Sequence, residues 1–188
     1  MSRSGLISLP PLRLDVAVAR ACARAATPAT QRVLKTVTLL ADEKVLLAAA
    51  GAIWVVTRCE RAEPPRREAD RLLCSVVVAG ALPHLFKLLF DRKRPDRTVK
   101  GPRHGIPRSG NAWDSFPSGH AVHLGAMAGS LARLSPNWLR PFVWPALASI
   151  AMTRIMLLAH YPSDVLTGWG IGLLISNSVD ALCGRLEQ

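Results

Sequence analysis

Apolar residues in this chain gather into long, nearly charge-free runs, separated by short arginine-dense stretches. A soluble globule spreads its charge along amphipathic elements, whereas segregated runs are the pattern of helices that cross a membrane. The uncharged stretch Val45 to Val56 predicts a first span, capped by Asp42 and running to about Thr57. Its roughly 16 residues rise about 24 Å, slightly short of the ~30 Å hydrocarbon core. A second span is predicted over 72–90, with Lys87 near its end. Spans over about 119–134, 138–159 and 164–183 follow; Ser135-Pro136-Asn137 turns between two of them, and Pro162-Ser163 opens the last. The stretch 58–71 holds five arginines, four acids and Pro64-Pro65, and reads as a polar connection. The stretch 91–118, rich in Arg, Pro and Gly, reads as a long polar loop.

Upstream, residues 12–26 put Leu12, Val16, Ala19, Ala23 and Ala26 on one helical face and Arg13, Arg20 and Arg24 away from it. Such a helix is too charged to span and suits the membrane interface. Thr27-Pro28 reads as an N-cap followed by proline at the first helical position of a second short helix. The segment MSRSGLISLPPLRLD has no apolar core of signal-peptide type, so no cleaved signal peptide is expected. The predicted architecture is all-α: a multi-pass transmembrane helical bundle of about five spans. Residues 1–41 form its amphipathic interfacial N-terminal segment and 42–188 its membrane-embedded domain.

Composition narrows the partners. The chain has 188 residues, enough for one domain, and a net charge of +11. One Tyr and four Phe offer few stacking platforms among the arginines, so no nucleic-acid partner is expected. Anionic membrane lipids and an anionic substrate account for the same charge. Cys22, Cys59, Cys74 and Cys183 show no CxxC spacing and read as free thiols, neither zinc ligands nor a disulfide framework.

Three polar clusters fall at the ends of the predicted spans, all on one face of the membrane. In the first, Lys87 and, seven residues on, Arg94-Pro95 offer a point charge and a planar fork, which suit a tetrahedral oxyanion. In the second, Pro117-Ser118-Gly119-His120, the N–H groups of Ser118 and Gly119 at a helix start can bind an anion. His120, in the first turn, is placed to donate a proton to a departing oxygen. In the third, Arg154 lies inside an apolar helix, where a charge usually faces a partner or a substrate. The His160–Asp164 spacing of four lets the carboxylate accept from one ring nitrogen and leaves the other nucleophilic. His123 and His84 read as helix-packing residues.

K-x6-R-P, P-S-G-H and T-R-x5-H-x3-D, in this order over Lys87 to Asp164, closely resemble the three-part signature of the type 2 phosphatidic acid phosphatase superfamily, which includes vanadium haloperoxidases. The resemblance implies a phosphatase domain in which His160 attacks phosphorus, Asp164 orients it and His120 protonates the leaving alcohol. It implies that Lys87, Arg94, Ser118, Gly119 and Arg154 bind the phosphoryl oxygens. Where such proteins usually carry serine this chain has Thr153, whose hydroxyl can make the same hydrogen bond. Three cationic side chains can neutralise the phosphoryl group, so neither a metal nor another cofactor is expected. The implied substrate is a lipid phosphate: phosphatidate, phosphatidylglycerol phosphate, a polyprenyl (di)phosphate or a polyprenyl-phospho-sugar phosphate. The alternatives are a haloperoxidase, which halide oxidation with peroxide would reveal, and a non-enzymatic lipid-binding protein. Five spans put the N-terminus and the site on one face, with thirteen Lys/Arg against eight on the other, which favours a cytoplasmic site.

Overall fold

The chain is organised around α6 (Gly119–Leu134), whose residues from Ala121 to Ala128 are all buried. Around it pack α8 (Pro162–Leu186), α4 (Glu63–Leu89), α7 (Arg140–Met156) and α3 (Glu43–Cys59). This computed structural model describes residues 5–59, 63–99 and 111–186. The remaining elements are β1 (Ile7–Ser8), α1 (Arg13–Ala25), α2 (Pro28–Leu39), β2 (Phe90–Asp91) and the single turn α5 (Pro95–Thr98). The all-α class holds, with one small addition: β1 pairs in parallel with β2, Ile7 against Phe90 and Ser8 against Asp91.

The junction of α6 with α8 sets the geometry of everything above it. A Cβ at Gly172 would lie 2.2 Å from the Val122 carbonyl oxygen, and one at Gly168 would lie 2.6 Å from that of Ser118. Only glycine lets the two backbones approach this closely, as small residues do between membrane helices. The approach draws the start of α6 against the start of α8, where the Ser118 N–H donates to the Asp164 carbonyl at 3.1 Å.

The predicted polar connection over 58–71 is corrected: Arg58 belongs to α3, residues 60–62 lie outside the described residues, and 63–71 open the helix α4. Prolines 64 and 65 fall in its first turn, where a missing N–H costs nothing. The charges are used in pairing, Glu68 with Arg71 at 3.0 Å and with Arg133 of α6 at 2.6 Å, and Asp70 with Arg58 of α3. Asp70 also accepts from the Trp54 indole at 2.8 Å, which pins α3 to α4.

Two helices, Pro65–Leu89 and Pro162–Arg185, are long and apolar enough to cross a membrane. Both present bare apolar side chains outward, among them Val77, Val78, Leu85 and Leu88 on α4 and Leu166, Leu174 and Leu182 on α8. The amphipathic helix α1 turns Ala19 and Ala23 inward, but its most deeply buried charged residue is Asp15, the sole acid among residues 1–41.

Candidate active site

The three sequence clusters meet in one cavity of about 200 Å³. Lys87 reaches it from the last turn of α4, Arg154 from the last turn of α7, and Gly119 and His120 from the first turn of α6. Arg94 and His160 enter from the segments just before α5 and α8. Three cations, a helix N-terminus and two imidazoles therefore line a space of small-anion size.

Arg94 is fixed from several sides. Its backbone N–H donates to the Ala112 carbonyl, its Nε to the Asn111 carbonyl and its Nη1 to the Ala159 carbonyl, all within 3.0 Å. Residues 91–94 thus form a rigid ledge, held further by Arg92 N–H to Trp113 O at 2.9 Å and Ser115 N–H to Arg92 O at 3.1 Å. Arg154 is held on one side only: its Nη1 donates to the Thr38 hydroxyl of α2 at 3.2 Å, while its buried Nε has no partner among the described residues.

His160 sits in the turn between α7 and α8, after Leu158, which takes the left-handed conformation at φ 53°. Its Nδ1 lies 2.6 Å from the Ser115 carbonyl oxygen. A carbonyl only accepts, so Nδ1 carries the proton and the neutral ring turns the Nε2 lone pair to the cavity, 3.5 Å from Arg94 Nη1. Burial first, then the Arg94 and Arg154 guanidiniums, hold this imidazole well below its ordinary range. The lone pair is therefore free at neutral pH.

The geometry corrects the reading of Asp164. Its carboxylate does not touch the His160 ring; it accepts from the Ser115 hydroxyl at 2.6 Å and from the Tyr161 N–H at 2.8 Å, and it pairs with Arg92. Asp164 therefore reaches the imidazole through Ser115, one residue removed. Ser118 is corrected too. Its N–H is committed to Asp164 and it does not line the cavity, although its fully buried hydroxyl has no partner among the described residues. Gly119 is the backbone left to face an anion. The Thr153 hydroxyl donates to the Ile150 carbonyl at 2.6 Å and does not line the cavity.

Sequence reasoning missed the layer beneath. Arg92 is 4% exposed and lies between two carboxylates, Asp164 and Asp15, the latter at 2.7 Å. Asp15 also accepts from the Ser163 N–H at 3.0 Å and from its hydroxyl at 2.7 Å. Burial alone would raise the Asp15 carboxyl; the Ser163 and Leu12 hydrogen bonds and the Arg92 charge outweigh it and hold the group below its ordinary range. The available signal was a lone acid on the small-residue face of a basic helix. Glu43, His84 and His123 also line the cavity.

The PAP2 superfamily profile matches residues 69–181. A lipid A 1-phosphatase of Rhizobium etli is 40% identical over 120 residues, which cover 61% of this chain and 51% of that protein. The chain thus spans about half the length of that relative. A decaprenylphosphoryl-5-phosphoribose phosphatase of Mycobacterium tuberculosis is 32% identical over 146 residues, covering 77% of this chain and 73% of that one. The crystal structure of a transmembrane PAP2-type phosphatidylglycerolphosphate phosphatase from Bacillus subtilis shares the fold, with a TM-score of 0.67 at 20% identity over 91% of this chain and 85% of that one.

Proposed function

The chain belongs to the PAP2 superfamily, and on that footing we propose that it is an integral-membrane phosphatase acting on a lipid-type phosphate through a phosphohistidine intermediate. One observation carries the reading: Lys87, Arg94 and Arg154 converge with the His160 lone pair and His120 on a single cavity. Phosphoryl transfer asks for positioning and charge neutralisation above all, and these residues supply both.

In the proposed reaction the three cations and the Gly119 N–H hold the phosphoryl oxygens. His160 Nε2 attacks phosphorus and the P–O bond to the lipid breaks. His120 gives its proton to the departing oxygen, then accepts one from the water that cleaves the P–N bond, and inorganic phosphate leaves. Ser115 keeps the His160 tautomer through its carbonyl, and Asp164 positions Ser115 through its hydroxyl. The relatives named as acting on lipid A or on a decaprenyl phosphosugar support a lipid substrate.

The exposed apolar faces of α4 and α8 support membrane insertion, and the shorter α3, α6 and α7 complete a proposed bundle of about five spans. The lysine and arginine distribution favours a site at the cytoplasmic face. The test is His160→Ala in purified, folded protein. Release of phosphate from phosphatidate should be abolished, and the wild type quenched in mid-turnover with labelled substrate should carry acid-labile phosphate. Wild-type turnover in the variant would overturn the scheme.

A further inference from the structure

A second cavity, of about 310 Å³, adjoins the first between α3 and α4. The two share Glu43, Gly80 and His123; the rest of the second lining is Leu47, Val76, Val77 and Ala81. Leu47 and Val77 are exposed on the outer face of the helices. The shared residues therefore form a polar waist between the cations and an apolar groove that opens sideways.

The waist has the opposite hydrogen-bonding character to the cation pocket. Lys87, Arg94 and Arg154 can only donate. The Glu43 carboxylate only accepts, and it makes no hydrogen bond or ion pair among the described residues. His123 is 3% exposed, and its Nδ1 lies 2.9 Å from the Gly119 carbonyl, to which it must donate. In the neutral tautomer that this bond selects, Nε2 is a lone-pair acceptor, buried and with no partner among the described residues. Buried polar atoms are normally satisfied, so an unpaired one facing a cavity points to a ligand. Both acceptors converge on the space over Gly80: a Cβ there would lie 3.2 Å from Glu43 Oε1 and 3.7 Å from His123 Nε2.

A phosphate oxygen at the waist would set acceptor against acceptor, and a bare hydrocarbon would leave the buried His123 Nε2 unsatisfied. A hydroxyl group satisfies them. We propose that Glu43 and His123 form a binding site for a hydroxyl-bearing spacer between the phosphate and the hydrocarbon, so that the substrate is a lipid whose phosphate is carried on a sugar or similar polyol. This inference rests on the phosphatase reading above and names its substrate class. A lipid with phosphate joined directly to its hydrocarbon leaves the waist unpaired.

Two synthetic probes separate the cases: dodecyl β-D-glucoside 6-phosphate, and dodecyl phosphate, which lacks the sugar. Phosphate release in detergent gives kcat/KM for each. The wild type should favour the glucoside, and Glu43→Leu and His123→Phe should each cut that preference about tenfold, by loss of the partner for a substrate hydroxyl. Glu43 is an exposed position, so its variant carries the test if the buried His123 substitution does not fold. An equal rate on both probes, or a preference unchanged in a folded Glu43→Leu protein, would sink the spacer site and leave the phosphatase reading standing. No release from either probe, nor from phosphatidate, would bring down the phosphatase reading and this inference with it.

Discussion

Asp15 lies outside the span matched by the superfamily profile, yet Asp15→Ala should damage both stability and turnover. The substitution removes the acceptor for Arg92 Nη2 at 2.7 Å, for the Ser163 N–H at 3.0 Å and for the Ser163 hydroxyl at 2.7 Å. Breaking a buried ion pair from one side costs about 3–5 kcal/mol. Arg92 keeps Asp164, so the loss belongs at the lower end, about 3 kcal/mol, or roughly 6–12 °C in Tm for a domain of this size. Asp15→Asn keeps the shape and one acceptor oxygen and should cost about 1–2 kcal/mol. The same guanidinium holds Asp164, which holds Ser115, which holds the His160 ring. A loosened ring should lower kcat about tenfold to a hundredfold with KM nearly constant. Detergent-solubilised protein, melted thermally and assayed well below its Tm, reads both effects. A purely structural role would shift Tm without the kcat loss. The pH dependence carries a sign as well. The Asp15 carboxyl is held below its ordinary value, so its contribution is whole above that value and fades as pH falls through the lowered one. The stability deficit of Asp15→Asn should therefore shrink in that acid window. An Asp15→Ala protein with wild-type Tm and kcat would refute the whole connection.

Further expectations can be checked on the same preparations. Gly172→Ala, whose new Cβ would meet the Val122 carbonyl at 2.2 Å, should cost about 1–3 kcal/mol in thermal melts, while Gly184→Ala, helical and with open space, should be neutral or stabilise by up to about 1 kcal/mol. With Lys87, Arg94 and Arg154 supplying the positive charge, activity should survive EDTA and be inhibited by vanadate; a strict Mg²⁺ requirement would show the charge assignment to be wrong. The protein should sediment with membranes and need detergent for extraction, and release by carbonate alone would exclude spanning helices. For a cytoplasmic site, Lys93→Cys in a cysteine-free background should escape a membrane-impermeant maleimide in intact cells, and labelling there would reverse the orientation.

What was legible in the sequence follows the range over which each interaction acts. The α6 helix begins after Pro117-Ser118 and ends before Ser135-Pro136, because helix breakers act within a turn, although the Ser118 hydroxyl makes no cap bond. Lys87, Arg94, His120, Arg154 and His160 line one cavity, and each stands out in the sequence because a polar side chain at the end of an apolar run has few other reasons to be there. In the 58–71 stretch charge density resembles a loop, yet Arg, Glu and Ala are good helix formers and α4 begins there at Glu63. Asp164 was misread for a subtler reason. A spacing of four brings side chains together only within one helix, and His160 lies two residues before α8 begins, in a turn that points its ring at Ser115.

The supporting layer was illegible in principle, since its contacts join residues 49, 72, 77 and 148 positions apart. No local pattern encodes such pairs. Their physical logic becomes plain only when the elements are together. Arg92 cannot remain buried with one carboxylate, because Asp164 also serves Ser115 and the Tyr161 N–H; a second anion is needed, and α1 brings it. Arg154 likewise donates its only described side-chain hydrogen bond to the Thr38 hydroxyl of α2. The two amphipathic helices are therefore tied to the site, α1 through the buried Arg92 and α2 through Arg154 of the cavity. Cations gathered around one cavity must be held apart when no anion is present, and Thr38 of α2 does part of that work at Arg154.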